Sequence, residues 1–175
     1  MPESDPNVRW PAINHIVANV RKLNKPILDI GVGYGFYGRT LRSIFPNAEI
    51  YGIEVWPAYI SPQHLQWYKA IMITDALCFN YNFFKDNLSL VIAADVVEHF
   101  TKEDAIYLVE TWKRFAPWIV ITMPIQDFEQ GAYLGNPKEA HLHQWKVDEV
   151  ERDLGLKLVK DCGVCGLFEY NYANV

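Results

Sequence analysis

Near the middle of the chain, Asp95-Val-Val-Glu98-His99 sets two carboxyls and an imidazole within five residues. If the backbone turns helical soon after Asp95, the i to i+3 and i to i+4 spacing brings all three side chains to one side. Such a set can hold a divalent cation, or its imidazole can act as a general base. Two further histidines, His141 and His143 in AHLHQW, alternate and share a side if that segment is extended. Either can add a fourth ligand to Asp95, Glu98 and His99, with His143 taken as the candidate. Any of His99, His141 and His143 can instead take a proton from an acceptor hydroxyl. Their structural alternative is capping and packing ahead of the helix expected at Trp145.

A second group of residues has no side chains to offer. In ILDIGVGYGFYG, residues 27–38, four glycines fall within eight positions after an acid. Gly33-Tyr-Gly35-Phe-Tyr-Gly38 satisfies GxGxxG, the dinucleotide fingerprint, and Glu54 lies at a plausible distance for its ribose acid. That frame makes the chain a nicotinamide-dependent oxidoreductase. In the other frame, Asp29 precedes Gly31, Gly33 and Gly35, and both the acid and the first glycine lie at the turn. The second frame is preferred, because a helical segment of about twenty residues precedes the strand, whereas nicotinamide folds commonly begin with it.

The elements that must position these groups read as alternating strands and helices. Residues 1–25 form an N-terminal helical segment (Pro6 to Lys25, with Trp10, Ile13, Ile16, Val17 and Val20 near one face), and Ile27 to Ile30 are the first strand. A helix follows to about Phe45, then a strand from Glu49 to Glu54, a helix from Pro57 to about Lys69, and a strand from Ala70 to Ile73. Leu88 to Ala94 is a fourth strand. Thr101 caps the next helix, Trp118 to Thr122 is a fifth strand, and Trp145 to Leu154 is helical. Lys157 to Lys160 and Leu167 to Tyr172 are two closing strands without a helix between them, hence antiparallel. This alternation predicts an open α/β sheet with helices on both faces and ligands beyond the carboxyl ends of its strands.

The acids at those ends then fall into roles. Glu54 can accept hydrogen bonds from both hydroxyls of a ribose, Trp56 offers a face to a purine, and Asp75 can accept from an exocyclic amine or simply cap a turn. Residues 124–144 have no clear period and exceed ordinary loop length, which marks a substrate lid with Ile125, Phe128, Tyr133 and Leu134 as its apolar lining.

The 175 residues fit one domain spanning 1–175, and the formal charge of −5 disfavours broad attraction to nucleic-acid backbones. No apolar run is long enough to span a membrane, and the start lacks a secretory pattern, so a cytoplasmic location is expected. Cys162-Gly-Val-Cys165 has no second pair to complete a zinc site and is read as incidental.

Taken together, the motifs resemble those of class I S-adenosylmethionine (SAM)-dependent methyltransferases over nearly the whole chain. DIGVGYG is similar to that family's first motif, IYGIEVWP to the second, ITDAL to the third and LVIAADVVEHF to the fourth. The resemblance implies a Rossmann-like three-layer α/β/α sandwich whose seven-stranded, mostly parallel sheet has order 3-2-1-4-5-7-6 with strand 7 antiparallel. It implies that Gly31, Gly33 and Gly35 let backbone approach the methionine part of SAM, that Glu54 binds the ribose, and that Asp75 with Ala76 binds adenine. Asp29, Trp56 and Asp95 complete the expected cofactor set.

The DxxEH stretch resembles the Glu-x-x-Glu-His of ubiquinone-pathway O-methyltransferases and of small-RNA 2′-hydroxyl methyltransferases, where it is associated with a metal. Many metal-free relatives carry DVLEH-like sequences, so a divalent metal is not expected here. The fourth motif lacks the Pro-Pro and Pro-Cys patterns of DNA amino and cytosine C5 methylation. The expected acceptor is an oxygen of a small molecule, with an RNA 2′-hydroxyl a lesser alternative and a non-catalytic SAM-binding module a rival. Oligomeric state is left open.

Overall fold

The computed structural model describes residues 5–19, 23–85 and 87–172. Seven strands, β1 (Ile27–Ile30), β2 (Ile50–Glu54), β3 (Ala70–Ile73), β4 (Leu90–Ala94), β5 (Trp118–Pro124), β6 (Lys157–Asp161) and β7 (Cys165–Asn171), form one sheet of order β3-β2-β1-β4-β5-β7-β6. The first five are parallel, and β7 runs antiparallel to both β5 and β6. This is the expected Rossmann-like order. The carboxyl ends of β1 to β5 therefore share one edge, and the chain reverses direction of travel between β1 and β4.

Strands β1, β4 and β5 are apolar and buried almost throughout because both of their faces are covered, with Asp29 and Thr122 the polar exceptions. The two-residue period of a strand divides them between two cores. Leu28, Ile30, Val91, Ala93, Ile119 and Ile121 pack with Ala105, Leu108, Val109 and Trp112 of α3 (Lys102–Phe115). Ile27, Leu90, Ile92, Trp118 and Val120 face α1 (Pro6–Ala18) and α2 (Phe36–Ile44). Thr101 caps α3 by accepting the Asp104 N–H at 3.2 Å. Acids in the first turn and Lys113 and Arg114 in the last both suit the helix dipole.

Several elements differ from expectation. α1 stops at Ala18, Trp10 is exposed on it, and Val20 lies outside the described residues. The helix expected from Pro57 to Lys69 is instead two 3-10 turns, Pro57–Tyr59 and Pro62–Gln66. Pro62 removes a donor and pushes Ser61 into extended backbone, which breaks the α pattern. The final helix makes one α turn over Val147–Glu149 and widens to π geometry over Val150–Leu154, ending at Gly155 with φ 60°. Cys162 and Cys165 are free thiols at the β6–β7 turn, and burial pushes Cys165 up to about 12, which leaves that thiol unreactive.

Candidate functional site

At the end of β1 the backbone enters the left-handed region three times in five residues, at Gly31 (φ 74°), Gly33 (φ 53°) and Gly35 (φ 79°). Only glycine adopts this without strain, so these three make the turn. Gly38 lies inside α2 with its open side filled by Tyr68. The turn is fastened from β2: the Gly31 and Val32 N–H groups donate to the Ile53 carbonyl, and the Gly33 N–H donates to Glu54 Oε2 at 2.8 Å. Glu54 Oε1 accepts the Trp56 N–H at 2.7 Å, which leaves about two of the carboxylate's four lone-pair positions for a ligand. Burial raises Glu54 above its ordinary value, opposed by those two backbone donors.

A cavity of about 220 Å³ opens over this turn and the carboxyl ends of β1 to β4. Gly31, Gly33, Glu54, Asp75, Ala76, Asp95 and His99 line it, as expected from their places in the sequence. Asp29, Gly35, Trp56, His141 and His143 do not. Asp29 is buried behind the turn, and Trp56 meets Glu54 through its backbone; Tyr59 supplies the aromatic wall instead. Asp75 caps the Ala76–Cys78 turn through the Leu77 N–H and also receives Lys138 Nζ at 2.9 Å.

Of residues 124–144, Asn136, Lys138, Glu139 and Leu142 line the cavity, whereas none of the four expected apolar residues does: Ile125 packs in the core, and Phe128, Tyr133 and Leu134 are exposed. The segment is pinned at three strand ends. Lys138 reaches Asp75 after β3. Tyr59 after β2 donates to Glu139 Oε1 at 2.9 Å, and Asn136 Nδ2 donates to the Tyr59 oxygen at 3.3 Å. After β4, the Leu142 N–H donates to the Glu98 carbonyl at 2.8 Å. Tyr59 has no motif to mark it. Asn136 and Glu139 lie in GNPKEAHLHQW, a stretch that resembles a late loop of some small-molecule methyltransferases, but the resemblance assigns no role to either.

The DxxEH stretch is divided by its backbone. Asp95 sits at φ 55°, held by the Thr122 carbonyl on its N–H and by Thr122 Oγ1 donating to Oδ1 at 3.0 Å. Such strain in a non-glycine residue is concentrated at functional sites. A 3-10 turn over Val97–His99 then carries Glu98 and His99 to a different place, where His141 joins them. Ligand atoms of Glu98, His99 and His141 lie within 4.8 Å of one another. Asp95 is not part of this cluster. His143 is turned away, 3.1 Å from Glu149 and edge-on to Trp145. Thus the expected ligand set changes: His141 takes the place of His143, and Asp95 stands apart because left-handed backbone redirects the chain just after it.

Glu98 is only 2% exposed, and neither of its carboxyl oxygens has a hydrogen-bond partner among the described residues. Burial pushes it well above the carboxylate range, with Asp95's charge adding to the effect. Burial lowers His99 to about 4 and also lowers His141, so both imidazoles are neutral at pH 7. His99 Nδ1 lies 3.2 Å from the Ala140 carbonyl and His141 Nδ1 2.7 Å from that of Phe128.

No protein-family model matches the sequence, and no curated protein matches it. Solved structures do match in fold. Magnesium protoporphyrin IX methyltransferase of Synechocystis PCC 6803, with S-adenosylhomocysteine (SAH) bound, superposes with TM-score 0.66 at 14% identity, over 93% of this chain and 82% of that one. The N-terminal domain of EvdMO1 with SAH gives 0.66 at 12%, over 91% and 80%. Human N-acetylserotonin methyltransferase in complex with SAM gives 0.62 at 15%, over 91% and 51%. The chain thus has the fold of the class I SAM-dependent methyltransferases.

Proposed function

We propose that the protein is a SAM-dependent methyltransferase acting on an oxygen of a small molecule. The observation that carries this reading is the charge of the cavity. Glu54, Asp75, Asp95, Asp104 and Glu139 line it, and among the described residues Lys138 is the one lysine or arginine that does. A wall of that sign attracts a sulfonium cation and repels a pyrophosphate, so it favours SAM over a nicotinamide dinucleotide. The three left-handed glycines support the same choice, since they belong to the acid-first frame rather than to GxGxxG.

SAM when bound supplies an electrophilic methyl on a good leaving group, so the protein's task is mainly alignment. The glycine turn offers bare backbone to the methionine part, Glu54 the ribose acceptors, and Asp75 with Ala76 the adenine edge. His99, which lines the cavity with His141 packed behind it, presents its imidazole at the end of β4 for a hydroxyl acceptor's proton. The lid residues Asn136 and Glu139 close the cavity against water. The acidic cavity also weighs against a nucleic-acid acceptor.

Calorimetry with SAM, SAH and NAD tests the cofactor. SAM and SAH are expected to bind and NAD to give no heat; NAD binding without a SAM response overturns the reading. Glu54→Ala is expected to weaken SAM more than tenfold, about 1.4 kcal/mol, and unchanged affinity removes Glu54 from the ribose. Labelled SAM offered to hydroxylated small molecules, amines and RNA then separates an enzyme from a binding module and identifies the acceptor class.

The Glu98 cluster supports a second reading, in which the site carries a divalent cation. The residues fit one: a buried carboxyl with two orphaned oxygens meets two neutral imidazoles. Each of those imidazoles rests its Nδ1 on a backbone carbonyl, the arrangement that orients metal-binding histidines. Imidazole donors favour zinc, copper, iron or nickel over magnesium, whereas the carboxylate is also compatible with manganese. Such an ion would supply Lewis-acid activation of an acceptor hydroxyl. Adding manganese or zinc to metal-stripped protein is expected to raise its Tm by about 5 °C or more at saturating metal. Glu98→Gln is expected to abolish that rise, and a Tm indifferent to every metal overturns this reading.

A further inference from the structure

The cofactor turn has a structural debt on its far side. Its last glycine, Gly35, is also the N-cap of α2, and a glycine has no side chain with which to satisfy the free N–H groups of the first helical turn. One of these is the N–H of Gly38. Its partner comes from thirty residues away: the phenol oxygen of Tyr68 accepts it at 3.1 Å. The same hydroxyl donates to Asp29 Oδ2 at 2.5 Å. One oxygen therefore joins the acid before the turn to the helix after it.

The fit explains Gly38. A Cβ there would lie 2.1 Å from Tyr68 Cζ and 2.4 Å from its hydroxyl, so this glycine seats the ring and makes no claim on the cofactor. Tyr68 closes the proline-broken segment before β3, is buried, and stacks on His64 with ring centroids 6.2 Å apart. Asp29 in turn depends on it. Burial pushes that carboxyl up to about 8; the Tyr68 hydroxyl opposes the rise, and the charge of Glu54 adds to it.

We propose that Tyr68 is a positioning residue for the cofactor turn, its hydroxyl bridging Asp29 and Gly38 so as to hold the Gly31–Gly35 backbone and the carboxyl behind it in their binding arrangement. The inference rests on the SAM reading. A sulfonium cation at the turn favours the ionised form of Asp29, so SAM affinity rises with pH as that carboxyl titrates. Loss of the Tyr68 donor moves the titration, and the rising limb of affinity, to higher pH. A tyrosine that merely filled space would lower affinity equally at every pH.

The test is calorimetry of SAM with the full chain across neutral to alkaline pH for wild type, Tyr68→Phe, Asp29→Asn and the double variant. Tyr68→Phe is expected to bind about tenfold more weakly at pH 7, with its limb displaced upward by about half a pH unit or more. Asp29→Asn should bind weakly with a flat profile. The double variant should be within about twofold of Asp29→Asn alone, because the two groups act as one. Losses that multiply in the double variant, or a Tyr68→Phe profile matching wild type, overturn the inference while the SAM reading stands. A wild type that ignores SAM removes both. Should Tyr68→Phe not fold, Asp29→Asn decides: a flat profile supports the bridge and a wild-type slope overturns it.

Discussion

Gly31→Ala is expected to weaken SAM binding by at least ~30-fold, about 2 kcal/mol, through backbone strain alone. At φ 74° the added methyl forces left-handed backbone on an alanine. It also lands 2.5 Å from Val96 Cγ2, well inside van der Waals contact. Val96 cannot simply swing aside, because its β-branch fixes χ1 and it packs in the core below α3. The turn must therefore shift, and with it the Gly33 N–H that Glu54 holds. Gly131→Ala is the control, since a Cβ there meets nothing within 4 Å, and it should match wild type in both affinity and Tm. Near wild-type SAM affinity in Gly31→Ala shows that the cofactor does not use this turn.

Local pattern was sufficient for what local pattern determines. The apolar runs of β1, β4 and β5 are buried on both faces, so their strands are visible without any tertiary knowledge, and each strand end then selects the residue beside the cavity. Glu54, Asp75 and Asp95 were legible for that reason. The helix from Pro57 to Lys69 was not read correctly, although Pro57 and Pro62 were visible. Its apolar residues mimic helical spacing, and what they actually serve is the delivery of His64 and Tyr68 to the back of the glycine turn. Tyr68 itself is illegible in one dimension, because nothing near it in sequence calls for a phenol; its partners lie thirty and thirty-nine residues away. The same holds for Asn136 and Glu139, which meet Tyr59 only because the irregular segment after β5 returns across β2. His141 and His143 show the limit most directly. Alternation made them equivalent in sequence, and the contact of His143 with Glu149 separates them.

The site also carries its cost in stability in a way that pH exposes. Asp29 and Glu98 are both buried with their titration pushed upward, so each contributes most to stability when protonated. For Asp29 that contribution is fully present below about pH 4 and is lost as pH rises toward the native value of about 8. Each pH unit between the unfolded and native values costs about 1.4 kcal/mol. Asp29→Asn, which never ionises, is therefore expected to stabilise the protein by on the order of 5 kcal/mol at pH 8. That raises Tm by about 10–20 °C for a chain of this size. The gain should shrink as pH falls and vanish near pH 4, while SAM binding falls increasingly behind wild type as pH rises. Thermal melts of the two proteins across this range check the sign directly. A variant no more stable than wild type at pH 8, or equally stabilised at pH 4, shows that Asp29 is not held above its ordinary value. The expected pattern, a more stable protein that binds its cofactor less well, places the cost of the buried charge in the cofactor turn itself.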